Sequence, residues 1–145
     1  MKRMIILLVC AMAVGCSTAP RAYLAESPGA YWIRTELYFG LSKPDGSLVS
    51  TAEWNAFLDD HISRRFPDGL TVLDSTGRYL DSQHQTIKEP SKIVIIFYSP
   101  EKTSTANSNI AAIVTEYCSQ FDQESVLRAD SVEKTSFLTC KTRRP

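Results

Sequence analysis

The apolar positions of this chain change period several times, and each change marks an element. From Tyr31 to Leu41 they alternate. Ile33, Thr35, Leu37, Phe39 and Leu41 share one face, and Trp32, Arg34, Glu36 and Tyr38 share the other. Successive strand side chains point to opposite faces, so a period of two predicts a strand with one face in the core. Lys43-Pro44-Asp45-Gly46 follows as a turn, with proline presetting one backbone angle and glycine accepting a positive φ. Ser50-Thr51-Ala52-Glu53 has the form of a capping box, in which Ser50 caps the helix and Glu53 reaches back to the cap's own N–H. Behind it Trp54, Phe57, Leu58, His61 and Ile62 recur at helical spacing. That spacing predicts an amphipathic helix ending near Phe66, where Pro67-Asp68-Gly69 stops it.

In the second half, Leu70 to Asp74 is expected as a short strand, Ser75-Thr76-Gly77 as a turn, and Arg78 to Leu80 as a brief returning strand. Asp81 to Pro90 is polar and reads as a loop holding a solvent-exposed His84. Ile93, Val94, Ile95, Ile96 and Phe97 are consecutive, which predicts a central strand from Lys92 to Ser99 buried on both faces. Pro100 to Asn109 reads as a polar loop leading into a second helix, whose stripe is Ile110, Ile113, Val114, Tyr117, Cys118 and Phe121. Ser125 to Val132 is a last strand, with Glu133 to Cys140 continuing it or adding another. The order β-α-β-β-α-β predicts an α+β, ferredoxin-like split pattern with two helices on one face of an antiparallel sheet. The first and third strands are then central. The alternative is a mixed α+β sandwich with an extra C-terminal strand.

The N-terminus is organised differently. Lys2 and Arg3 precede an uncharged run from Ile5 to Val14, and Ser17, Thr18 and Pro20 end it. A spanning helix needs about 20 apolar residues, so the run is too short to cross a bilayer and reads as a signal peptide over residues 1–15. Ala13-Val14-Gly15-Cys16 resembles the lipobox of bacterial lipoproteins, although Ala13 stands where that pattern usually has Leu. The resemblance implies that Cys16 is lipid-modified with a diacylglyceryl group and an N-acyl chain and becomes the first mature residue. Two signals of this kind anchor firmly where a single acyl chain does so only marginally. Ser17, rather than Asp, after the cysteine is similar to lipoproteins sorted to an outer membrane rather than kept at the inner one, with the domain facing the periplasm. Residues 16–29 are then a lipidated tether and residues 30–145 a single domain. The alternative is a secreted protein in which Cys16 is incidental.

Composition narrows the partners. The 16 basic and 16 acidic residues balance, and loss of Lys2 and Arg3 leaves 14 against 16, or −2. No basic excess points to nucleic acid. Lys141-Thr142-Arg143-Arg144 is a small basic tip that reads as a solvated terminus, the lesser alternative being contact with anionic lipid or cell-wall polymer. Of the four cysteines, Cys10 lies in the signal and Cys16 in the lipobox. Cys118 and Cys140 remain, in an oxidising compartment, either bonded to each other or as two separate buried thiols. Only His61 and His84 accompany them, and neither has metal-ligand spacing, so no metal or cofactor is expected. Asp59-Asp60-His61 does not converge on a helix, and His61 reads as a packed residue.

Arg34-Thr35-Glu36-Leu37-Tyr38-Phe39-Gly40, Arg65-Phe66-Pro67-Asp68-Gly69-Leu70-Thr71-Val72 and Glu89-Pro90-Ser91-Lys92 resemble DUF3574, a family of small bacterial proteins of unknown function, often lipoproteins. The resemblance implies a fold and an envelope setting and lends no catalytic residues. No phosphate loop, nucleophile elbow or zincin spacing occurs in the sequence. The remaining candidate is the strand face of Trp32, Arg34, Glu36 and Tyr38. It is a solvated face with a weak ion pair, an interface with a second copy or an envelope partner, or the floor of a ligand site. Arg65 and Asp68 join helix to strand and are a lesser candidate for lining a pocket. The sequence therefore reads as a membrane-tethered binding or self-associating module, or alternatively as a small enzyme or ligand-binding protein using the open sheet face.

Overall fold

The structure is a computed structural model that describes residues 28–80 and 83–138. The signal segment, Cys16 and nearly all of the tether lie outside the described residues, as do Cys140 and the basic tip. The chain runs β1 (Ala30–Gly40), α1 (Thr51–Phe57) continuing as a π-helical turn (Leu58–Ser63), β2 (Leu70–Leu80), β3 (Thr86–Tyr98), a 3₁₀ turn (Pro100–Lys102), α2 (Thr103–Phe121) and β4 (Leu127–Thr135). The four strands lie in the order β2-β3-β1-β4, and every neighbouring pair is antiparallel. This is the α+β ferredoxin-like arrangement, with β1 and β3 central and the helices on one face.

Local chemistry explains the helix starts. Ser50 Oγ accepts from the Glu53 N–H at 3.2 Å while Glu53 accepts from the Ser50 N–H at 2.8 Å, so the capping box forms as the sequence requires. Before it, the Lys43–Gly46 turn closes through Gly46 N to Lys43 O at 3.0 Å, with Gly46 at φ +84°. Gly69, at φ +118°, ends the segment between α1 and β2 in a conformation that disfavours any residue with a Cβ.

Several boundaries differ from expectation. Ser75-Thr76-Gly77 is not a turn, because β2 runs unbroken and Gly77 lies opposite Glu89 on β3. β2 is an edge strand, where small polar residues on the outer side cost little. β3 likewise starts at Thr86, so the polar loop is confined to the residues around His84, which is exposed at φ +61°. Pro90 is tolerated in that strand because its carbonyl still accepts from Leu41 N at 2.9 Å, while the Leu41 carbonyl that its missing N–H would have met accepts from Val49 N at 2.8 Å. α2 begins at Thr103, with the 3₁₀ turn of Pro100 as its lead-in, rather than after Asn109. Among the described residues no strand follows β4.

Only one face of β3 is buried. Val94, Ile96 and Tyr98 are in the core, but Ile93 and Ile95 are half-buried and Phe97 is 38% exposed. The run of apolar residues therefore marks a second, uncovered apolar surface.

The core between sheet and helices is built from Leu37, Phe39, Val94 and Ile96 beneath Trp54, Phe57, Ile62, Ile110, Ile113, Tyr117 and Phe121. Phe39 meets Trp54, Phe57 and Tyr117 edge-on at 5.3, 6.4 and 4.7 Å, the geometry favoured by ring quadrupoles. The Tyr117 hydroxyl donates to Gly40 O at 2.6 Å, and burial pushes its pKa well above the ordinary phenol value.

Candidate functional site

Alternation on β1 sends Trp32, Arg34, Glu36 and Tyr38 to the face away from the helices, as the sequence predicted. Arg34 pairs with one Glu36 carboxylate oxygen, and the Tyr38 hydroxyl donates to the other. Glu36 thus links three of the four residues, and its side chain is only 16% exposed. The hydrogen bond to Glu36 raises the Tyr38 pKa first, followed by burial and the negative charge of Glu36, with Arg34 partly opposing. Trp32 stands apart, edge-on to Phe137 at 6.0 Å.

The neighbours of this polar stripe are apolar. On β3, Phe97, Ile95 and Ile93 lie directly opposite Arg34, Glu36 and Tyr38. Leu73 of β2 lies beyond Ile93, and Leu127 of β4 lies on the other side of Tyr38. Leu73 and Leu127 are 45% and 64% exposed. The face is therefore a row of linked polar groups set in a hydrophobic patch. At one end it opens into a broad depression of about 790 Å³ bordered by Tyr38, Ser75, Tyr79, Glu89, Ser91 and Gln123.

The helix-side layer holds polar groups that sequence reasoning did not single out. Thr35, fully buried, shares a 3.0 Å hydrogen bond with the Tyr98 hydroxyl and donates to Asp130 Oδ1 at 2.5 Å. Arg128 closes the network, donating to Asp130 Oδ1 at 3.0 Å, Tyr98 Oη at 3.3 Å and Asn107 Oδ1 at 2.8 Å. The only sequence signal for it was a hydroxyl amid the core-facing residues of β1.

Arg65 and Asp68 do border a cavity, of about 330 Å³, between the segment that joins α1 to β2 and the start of α2. The Arg65 guanidinium is engaged elsewhere, by Glu116 at 2.6 Å and the His61 carbonyl at 2.7 Å. His61 is half-buried, stacked on Phe57 at 4.8 Å, with Nδ1 2.8 Å from Glu116. Burial opposes the charge on Glu116, but hydrogen bonds from Arg65 and His61 outweigh it and lower the Glu116 pKa. Asp60 pairs with Arg64 instead, so the Asp59-Asp60-His61 string does not converge. Among the described residues no cluster of three metal-ligating side chains occurs. Cys118 is half-buried on α2, and its expected partner Cys140 lies outside the described residues.

A two-layer domain with an antiparallel β2-β3-β1-β4 sheet, helices on one face and an open apolar-flanked face on the other is a ferredoxin-like α+β domain. The chain belongs to the DUF3574 family, described as proteins of unknown function, whose model matches residues 34–137. Among solved structures it is similar to a phage SAM lyase, seen in complex with S-methyl-5'-thioadenosine and in the apo state. Each of these comparisons has 18% identity and a TM-score of 0.51, and covers 79% of this chain and 98% of the phage chain. That likeness is one of fold. No curated protein matches the sequence significantly.

Proposed function

We propose that the protein is a bacterial envelope lipoprotein, anchored through lipid on Cys16 to the periplasmic side of the outer membrane, whose domain is a binding module that self-associates through its open sheet face. The observation that carries the module is the uncovered patch of Leu73, Ile93, Ile95, Phe97 and Leu127 around the Arg34–Glu36 pair. Contiguous exposed apolar surface of this kind marks an interaction site. A second copy offers the same apolar surface, and a patch that meets itself across a two-fold axis is what an isologous interface requires. The anchor rests on Ala13-Val14-Gly15-Cys16 after its short apolar run. Cells fed radiolabelled palmitate should label the chain, and Cys16→Ala should abolish the label; persistent labelling of the variant refutes the anchor.

A second reading, a small-molecule binder or enzyme on the same face, is favoured by the depression beside Tyr38. The likeness in fold to a lyase solved with S-methyl-5'-thioadenosine makes that nucleoside thioether the first compound to test. A rise in melting temperature with the thioether that is lost in Tyr38→Ala supports this reading over self-association alone.

A further inference from the structure

The cavity at the start of α2 is separate from the polar row of the open face, sharing only Phe97 with the patch around it. Its walls are largely hydrophobic: Phe66, Pro67, Phe97, Tyr98 and Ala106. At about 330 Å³ it falls at the lower end of the roughly 300–1,000 Å³ typical of small-ligand sites. Aromatic side chains on this scale suit a flat apolar body.

The polar groups around it are not equally available. Arg65 is held by Glu116 and by the His61 carbonyl. Asn109 donates to the Arg65 carbonyl at 3.1 Å and so fixes the segment that forms one wall. Besides the Thr105 hydroxyl, that leaves two charged groups, Asp68 and Lys102, paired with each other at 2.6 Å. Their side chains are 68% and 58% exposed. An ion pair this exposed contributes about 0–1 kcal/mol, so a ligand that supplies one partner to each charge replaces it at little cost.

We infer that this cavity binds a free aromatic α-amino acid, with the side chain among Phe66, Phe97 and Tyr98, the carboxylate on Lys102 and the ammonium on Asp68. A ligand with one charge satisfies only half of the opened pair. A zwitterion without an apolar body leaves the aromatic walls uncovered. This site does not depend on lipid anchoring, and Phe97 is the one residue it shares with the face proposed for self-association.

The test is an amide chemical-shift titration of the full-length protein, extracted in detergent, with four probes: L-phenylalanine, N-acetyl-L-phenylalanine, L-phenylalanine methyl ester and glycine. L-Phenylalanine should shift amides between Phe66 and Gly69 and between Lys102 and Asn109, and bind at least about fivefold more tightly than each of the others. Lys102→Ala should weaken L-phenylalanine about fivefold and leave the methyl ester unchanged, while Asp68→Asn should weaken L-phenylalanine and leave the N-acetyl compound unchanged. Both replaced side chains are exposed, so the variants keep the fold. Absence of shifts at millimolar L-phenylalanine, shifts confined to other residues, or equal binding of the singly charged probes overturns the inference. Glycine binding as tightly as L-phenylalanine also overturns it, because the aromatic walls then contribute nothing.

Discussion

At the scale of the residue, the most constrained polar group is Thr35. Its hydroxyl is sealed between sheet and helices and bonded to Tyr98 and Asp130, residues 63 and 95 positions away. A neutral hydrogen bond contributes about 1 kcal/mol, and a buried partner left unsatisfied costs about 1–3 kcal/mol. Thr35→Val keeps the shape and removes the hydroxyl, so it should lower stability by about 1–2 kcal/mol, read as a lower urea midpoint at unchanged slope. On the other face, Glu36→Gln removes the charge and leaves only a neutral, weaker amide oxygen to hold the Tyr38 proton. The Tyr38 pKa should fall back toward the ordinary phenol value, measurable by NMR titration of its ring resonances. Period-two alternation was enough to put Thr35 inside and Glu36 outside. It carried no trace of Arg128, Asp130 or Tyr98 as partners of Thr35, because such pairings are set by strand register and not by spacing along the chain.

At the scale of the element, the helix signals were local and therefore legible. The capping box is written in four consecutive residues and forms as written. Ser50→Ala should cost about 1 kcal/mol in thermal or urea unfolding. Glu53 adds a pH dependence of definite sign. Hydrogen bonds from Ser50, with a further contribution from Lys43, lower its pKa from 4.5 to about 2. A carboxyl with a depressed folded pKa stabilises fully above its unfolded value and loses that contribution as pH falls through its folded value. Melting temperatures should therefore drop between pH 4.5 and about 2, and Ser50→Ala should show a smaller drop over the same interval. The strands were less legible for a physical reason. β2 is an edge strand, exposed along one side, so Ser75, Thr76 and Gly77 carry turn chemistry without making a turn. In β3 the run from Ile93 to Phe97 mimics a strand buried on both sides, because an uncovered apolar face and a covered one have the same composition.

At the scale of the whole molecule, the two faces of the sheet solve different problems with similar residues. The helix face buries its apolar side chains under α1 and α2. The open face presents Leu73, Ile93, Ile95, Phe97 and Leu127 with no element of the described chain above them. The order of elements was enough to infer the layers and the central strands, since a split β-α-β-β-α-β chain leaves one face of its sheet bare. That this bare face would be apolar around a polar row depended on which strands became neighbours. Self-association follows if that surface is covered by a second copy. Leu73→Glu tests it at an exposed edge-strand position, where a charge costs the monomer little but is trapped against apolar surface when two copies meet. Crosslinking in intact cells should trap dimers of the native chain and lose them in Leu73→Glu. Arg64→Glu, on α1's side of the molecule and 75% exposed, should leave the dimers in place. Equal crosslinking in Leu73→Glu and the native chain, with both equally resistant to urea, would assign the contact to a different surface and return the open face to solvent.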